Sequence, residues 1–157
     1  MLGFRDAFTH TITVRLLGPV EIQVVSLAAL AMLKLFAWQD RHHEFPTKDA
    51  QDFALMARTY LEAGNRDRLF DQFISLVEAP EFDYQLAGAR MLGHDMAEIA
   101  GEQTQSEMRA ILAREADVAG NLALAIAMGR NTEQNLEMIR NMLMGVNDRA
   151  LNGEANG

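Results

Sequence analysis

The stretch Ser26-Leu-Ala-Ala-Leu-Ala-Met-Leu-Lys34-Leu-Phe-Ala-Trp38-Gln-Asp-Arg41, followed by Thr47-Lys48-Asp49-Ala-Gln-Asp52, decides how this chain is read. Ser26 is a plausible cap for a helix running to about His42, and His43-Glu-Phe-Pro46 breaks it. Thr47 can cap a second helix from Lys48 to about Ala63, with Asp49 favourably placed in its first turn and Gly64-Asn65 ending it. Leu27, Leu30, Ala31, Lys34, Leu35, Trp38 and Arg41 share one broad face of the first helix, so its apolar stripe passes directly into charge. Lys34 and Lys48 are the only lysines in the chain; all other side-chain cations at neutral pH are arginines.

Working outward, His10 to Leu17 alternates Ile12, Val14 and Leu16 with Thr11, Thr13 and Arg15, and Val20-Glu-Ile-Gln-Val-Val resumes a period of two after Gly18-Pro19. The pattern predicts an antiparallel hairpin over about residues 10–25. A lone hairpin is marginal in water, so it is expected to pack on helices or join a larger sheet, with an outer edge open to a second chain. Downstream the reading is helical: Asn65 or Asp67 to Val77 with Leu69, Phe70, Phe73 and Ile74 inside, Asp83 to Leu92, and a turn at Gly93-His94-Asp95 before Met96 to Ala100. Further helices are expected over Thr104–Ala116, Asn121–Met128 and Thr132–Met144. The fold class is mainly α (α+β), a hairpin followed by a multi-helix bundle, as one domain over about residues 1–145 with a disordered tail over 146–157.

The totals bound the function. A length of 157 residues with 49% hydrophobic residues gives room for a core, and a formal charge of -8 argues against a general nucleic-acid backbone binder. With no cysteine, disulfides and thiolate metal sites are excluded. The longest apolar run, Leu27 to Ala37, contains Lys34 and is too short to span a bilayer, and the start lacks a signal-peptide layout, so a cytoplasmic location is the expectation.

Lys34, Trp38 and Arg41 lie at i, i+4 and i+7, and Asp49 and Asp52 share a face of the next helix. Lysine and arginine can hold phosphate oxygens, one as a point charge and one as a fork, and the carboxylates can orient a cation, bind metal or activate a hydroxyl. The short connection lets both charged ends meet. The plainer reading is a helix-end salt-bridge cluster, with Lys34 snorkelling from a packed helix and Trp38 in the core. His42-His43-Glu44 does not specify a metal site, because adjacent helical positions diverge; His10 and His94 carry no constellation, and Met128, Met138, Met142 and Met144 read as packing. No phosphate-binding glycine loop, dinucleotide fingerprint or nucleophile elbow is present.

Gly3-Phe-Arg-Asp-Ala, the segment Glu21-Ile-Gln-Val-Val-Ser-Leu, Leu33-Lys34-Leu-Phe-Ala-Trp-Gln-Asp-Arg41, Lys48-Asp49-Ala-Gln-Asp52-Phe and Leu86-Ala-Gly-Ala-Arg-Met-Leu-Gly together resemble the second half of a nucleotidyltransferase of the AbiEii toxin type, from bacterial toxin–antitoxin and abortive-infection systems. The resemblance implies Lys34 as a triphosphate contact with a catalytic role, Arg41 as a supporting contact, Asp49 or Asp52 completing the catalytic site, and Lys48 holding its geometry. It also implies Mg2+ and a nucleoside triphosphate for the complete enzyme. The family's Gly-Ser motif and Asp-x-Asp pair are not found in this sequence, so the chain is expected to bind no cofactor alone and to be catalytically incomplete, either as a truncation or as a separately encoded half. Expected partners are an N-terminal catalytic half or an antitoxin, and a second copy paired through the hairpin. The competing class is a non-catalytic oligomeric helical interaction module.

Overall fold

The computed structural model describes residues 3–15 and 21–155. A short helix α1 (Phe4–Thr9) leads into strands β1 (Thr11–Arg15) and β2 (Glu21–Val25). The helices α2 (Leu27–Arg41), α3 (Lys48–Thr59), α4 (Arg66–Gln72), α5 (Ile74–Val77), α6 (Tyr84–Ile99), α7 (Glu102–Glu115), α8 (Ala123–Ala127) and α9 (Thr132–Ala155) follow. The fold is thus mainly helical, with an antiparallel hairpin ahead of a helical bundle. The expected Gly18-Pro19 turn lies outside the described residues.

In the hairpin, Ile12 faces Val24 and Thr13 faces Gln23. Thr11, Thr13 and Gln23 bond one another through their side chains on one face, and Arg15 pairs with Glu21 at 2.7 Å. Ile12 and Val24, on the opposite face, remain exposed. The expectation that helices cover the hairpin is not met on that face.

Ser26 caps α2 as expected, accepting from the Ala29 N–H at 3.1 Å. Burial goes beyond the expected stripe: Ala28, Ala29, Met32, Phe36 and Ala37 are also enclosed, while Leu30 is exposed. α2 therefore runs through the core rather than along its surface. Thr47 does not cap α3 with its side chain, because its backbone is already helical. The chain kinks at Ala63 and Gly64, the latter with φ 93°, which glycine adopts without steric penalty. α4 and α5 are separate helices because Phe73 leaves helical geometry, and of their expected inner face only Leu69 is fully enclosed, Phe70 and Ile74 being exposed.

Two further corrections share one cause. α6 runs unbroken through Gly93-His94-Asp95, and α9 continues past Met144, with Val146 buried and Asp148 pairing with Arg90 at 2.8 Å. A Cβ on Gly93 would collide with the Met142 carbonyl, and one on Gly145 with the Arg90 carbonyl. These glycines let the two helix backbones touch, so Gly93 is a packing residue, and the frayed tail expected from Val146 does not start there.

Candidate functional site

α2 and α3 are joined by residues 42–47 and run antiparallel, since Lys34 meets Asp52 while Arg41 meets Asp49. The connection is wound tightly: the Phe45 and Glu44 N–H groups donate to the Arg41 carbonyl, and the His42 ring stacks on Trp38 with centroids 4.7 Å apart. That turn brings the charged end of α2 onto the first two turns of α3. Asp49 sits at its centre with 0% of its side chain exposed. Arg41 donates to it as a fork, Nε to Oδ2 at 2.7 Å and Nη2 to Oδ1 at 2.8 Å, and Lys34 Nζ donates to Oδ1 at 3.2 Å. Lys34 also pairs with Asp52 Oδ2 at 2.7 Å.

The cluster is graded in exposure. Lys34 keeps 22% of its side chain exposed, Arg41 45% and Asp52 48%. The Arg41 fork, with Lys34 adding to it against the cost of burial, holds the Asp49 carboxyl below the usual carboxylate range. Asp52, more than Asp49, raises the Lys34 ammonium above its ordinary value, so this lysine stays charged at neutral pH. Asp49 thus serves to orient two cations, both its oxygens being engaged, while Asp52 is half exposed and its Oδ1 has no partner among the described residues.

Of the five residues expected at the site, Lys34, Arg41, Asp49 and Asp52 come together. Lys48 is exposed at the start of α3 and, among the described residues, forms no ion pair. Trp38 is core, 1% exposed, and its indole N–H has no hydrogen-bond partner among the described residues. Magnesium is held by one or two carboxylates together with water and substrate phosphates. With Asp49 engaged on both oxygens and one Asp52 oxygen on Lys34, the cluster offers such an ion at most the second Asp52 oxygen.

A second polar cluster was not foreseen. Asp95 on α6 accepts the Arg68 fork at 2.7 and 2.9 Å and the Tyr60 hydroxyl, with His94 Nδ1 3.3 Å away. Burial, reinforced by Asp95, pushes the Tyr60 hydroxyl above its ordinary pKa. Burial opposes ionisation of Asp95, yet Arg68, His94 and Tyr60 outweigh it and hold the carboxyl below the usual range. His94, Asp95 and Glu98 also bring ligand atoms within 4.8 Å of one another, correcting the reading of His94 as isolated. A cation there would have to displace the guanidinium from Asp95, so the group reads as a structural ion network. Arg68 and Asp95 stand 27 positions apart in the chain, and no local spacing pairs them.

The site and scaffold define a helical domain in which α2 and α3 carry a lysine–arginine–carboxylate cluster. The family model described as "Nucleotidyl transferase AbiEii toxin, Type IV TA system" matches residues 2–148, and the chain belongs to that family. No match was found among curated proteins or among solved structures. Among the described residues, no helix is long and apolar enough to cross a membrane.

Proposed function

We propose that this nucleotidyltransferase-like chain supplies the helical wall of a nucleotide site, incomplete without carboxylates from elsewhere. The observation that carries the reading is the cluster around Asp49, where a buried carboxylate fixes a lysine and an arginine side by side. Lys34 has one ammonium hydrogen beyond its two carboxylate partners, and the Arg41 Nη1 group is free of protein partners among the described residues. Those donors suit triphosphate oxygens. In this reading Lys34 and Arg41 contact the triphosphate, Asp49 positions both, Lys48 adds charge at the rim, and Asp52 is the carboxylate open to the reacting groups. Neither a Gly-Ser dipeptide nor an Asp-x-Asp pair occurs in the 157 residues, so the metal-holding acids would come from another segment or chain. Magnesium would neutralise phosphate charge there, and the residues of this chain would bind and orient the nucleotide.

Calorimetric titration of the folded chain with ATP, CTP, GTP and UTP in the presence of magnesium tests this. Binding in the range of about 1 to a few hundred micromolar, abolished by Lys34→Ala, supports the half-site. No heat from any nucleotide with a sample shown to be folded sinks it.

A second reading is a non-catalytic interaction module, favoured by the way the cations and carboxylates of the cluster satisfy one another. The exposed Ile12 and Val24 face of the hairpin would then meet an antitoxin, the missing half or a second copy. A cytoplasmic protein is implied in either case. Sedimentation equilibrium of the chain and of an Ile12→Lys variant separates these: a dimer lost in the variant supports hairpin pairing, and a monomer in both removes the homodimer.

A further inference from the structure

On the far side of α3 from the Asp49 cluster, Arg58 is half-buried and, among the described residues, has no carboxylate partner. Its Nη2 group donates to Asn135 Oδ1 at 2.6 Å and to the Gly129 carbonyl at 3.4 Å, leaving Nε and Nη1 without protein partners among the described residues. Arg68, Arg90 and Arg140, likewise half-buried, each face a carboxylate, while half-buried Arg109 donates to Asn147 and, among the described residues, has no like charge recorded beside it. At Arg58 the neighbour is a second cation: Arg130 follows Gly129 directly, is exposed, and forms no ion pair among the described residues. Burial, with Arg130 adding repulsion, lowers the affinity of Arg58 for its proton.

Among the described residues, no acid pairs with either arginine. Asp52 holds Lys34, Glu62 accepts from the Tyr84 hydroxyl, and Glu133 at the start of α9 pairs with neither arginine. Gln51, one i, i+7 step from Arg58 on the same face of α3, brings its amide to Gly129, 3.9 Å from where a Cβ would stand. Arg58 and the Gln51 amide therefore meet at Gly129, where α3 meets the turn between α8 and α9, with Arg130 the next residue of that turn, and among the described residues no carboxylate pairs with either arginine. A half-buried arginine beside a like charge is costly unless an anion completes it, and a guanidinium fork matches phosphate oxygens. Arg130 adds a second cost, being held at φ 64°, a left-handed conformation unfavourable to a residue with a Cβ.

We propose that Arg58, Arg130 and Gln51 form a binding site for a phosphate group, separate from the α2–α3 cluster. Arg58 supplies the anchored fork, Arg130 the long-range charge and Gln51 a neutral donor. The phosphate could be free or part of a phosphodiester chain, since both present the same oxygens.

The test follows binding of inorganic phosphate to the intact chain by the shift of the Arg58 side-chain Nε–H resonance, at ionic strength held constant with chloride. Arg130→Gly removes the charge while relieving the positive φ, so its unfolding temperature without phosphate should equal or exceed that of the parent. We expect millimolar or tighter phosphate binding, weakened severalfold in Arg130→Gly, the scale of one lost screened charge, and retained in Lys34→Ala. Equal binding in the parent and Arg130→Gly, loss in Lys34→Ala, or no effect beyond that of chloride would overturn the proposal. A short single-stranded oligonucleotide identifies the source of the phosphate. Tighter, salt-sensitive binding that depends on Arg130 indicates a phosphodiester chain, and oligonucleotide binding no tighter than phosphate indicates a free phosphate.

Discussion

Arg41 and Asp49 form a two-point fork in which the carboxylate is wholly enclosed and the guanidinium keeps nearly half its side chain in water. Removing the carboxylate charge would leave Lys34 and Arg41 side by side without their shared anion. We expect Asp49→Asn to destabilise the chain by about 2–3 kcal/mol, somewhat below the cost of breaking a fully buried pair. Asp52→Asn removes a largely exposed partner of Lys34 and should cost under about 1 kcal/mol. Urea denaturation of the two variants checks the ordering, and a larger loss from Asp52→Asn would mean that Asp49 is not the centre of the cluster.

The acid limb of stability should report the same carboxylate. Asp49 has a folded-state pKa depressed by Arg41 and Lys34, so its contribution is whole above the unfolded carboxylate value, near about 4, and disappears as pH falls toward the depressed value. Asp95 behaves alike, held down by Arg68, His94 and Tyr60 against the effect of burial. The stability gap between the parent and Asp49→Asn, or Asp95→Asn, should be constant from pH 8 to about 5 and narrow below about pH 4. A gap that widens on acidification contradicts the depressed values.

Much of this cluster was legible from the sequence because its causes are local. Ser26 starts α2, the His43–Pro46 segment stops it, and helical spacing then aligns Lys34 with Arg41 and Asp49 with Asp52. What escaped depends on contacts between distant segments. The Arg68–Asp95 pair joins residues 27 positions apart, and Arg58 finds Asn135 across 77. Gly93 resembled a turn because glycine punctuates chains, yet its missing Cβ serves a backbone crossing that only the position of α9 reveals.

That crossing yields its own prediction. Gly93→Ala and Gly145→Ala each put a Cβ against a backbone carbonyl of the facing helix, which cannot rotate away as a side chain would. Each should cost about 3 kcal/mol or more, as overpacking that forces α6 and α9 apart. Gly64, unlike Gly93 and Gly145, bears a positive φ but has nothing within 4 Å, so Gly64→Ala should cost only the conformational strain, about 1–2 kcal/mol. Thermal unfolding of the three variants decides the matter, and an equal cost for all three would remove the close approach as the cause.

Tyr60 and Arg68 hold the same carboxylate but differ in what their removal leaves behind. Tyr60→Phe deletes one neutral donor, while Arg68 and His94 still face Asp95, so about 1 kcal/mol is expected. Arg68→Gln takes away the counter-charge of a carboxylate that is 8% exposed, and about 3 kcal/mol is expected. Adding Asp95→Asn to Arg68→Gln should restore part of that loss, because an uncharged amide no longer needs the guanidinium. Urea midpoints of the single and double variants give the coupling directly. Strictly additive costs would show that Arg68 stabilises α4 through packing on Phe73, whose ring centroid lies 5.8 Å from its guanidinium carbon, rather than through Asp95.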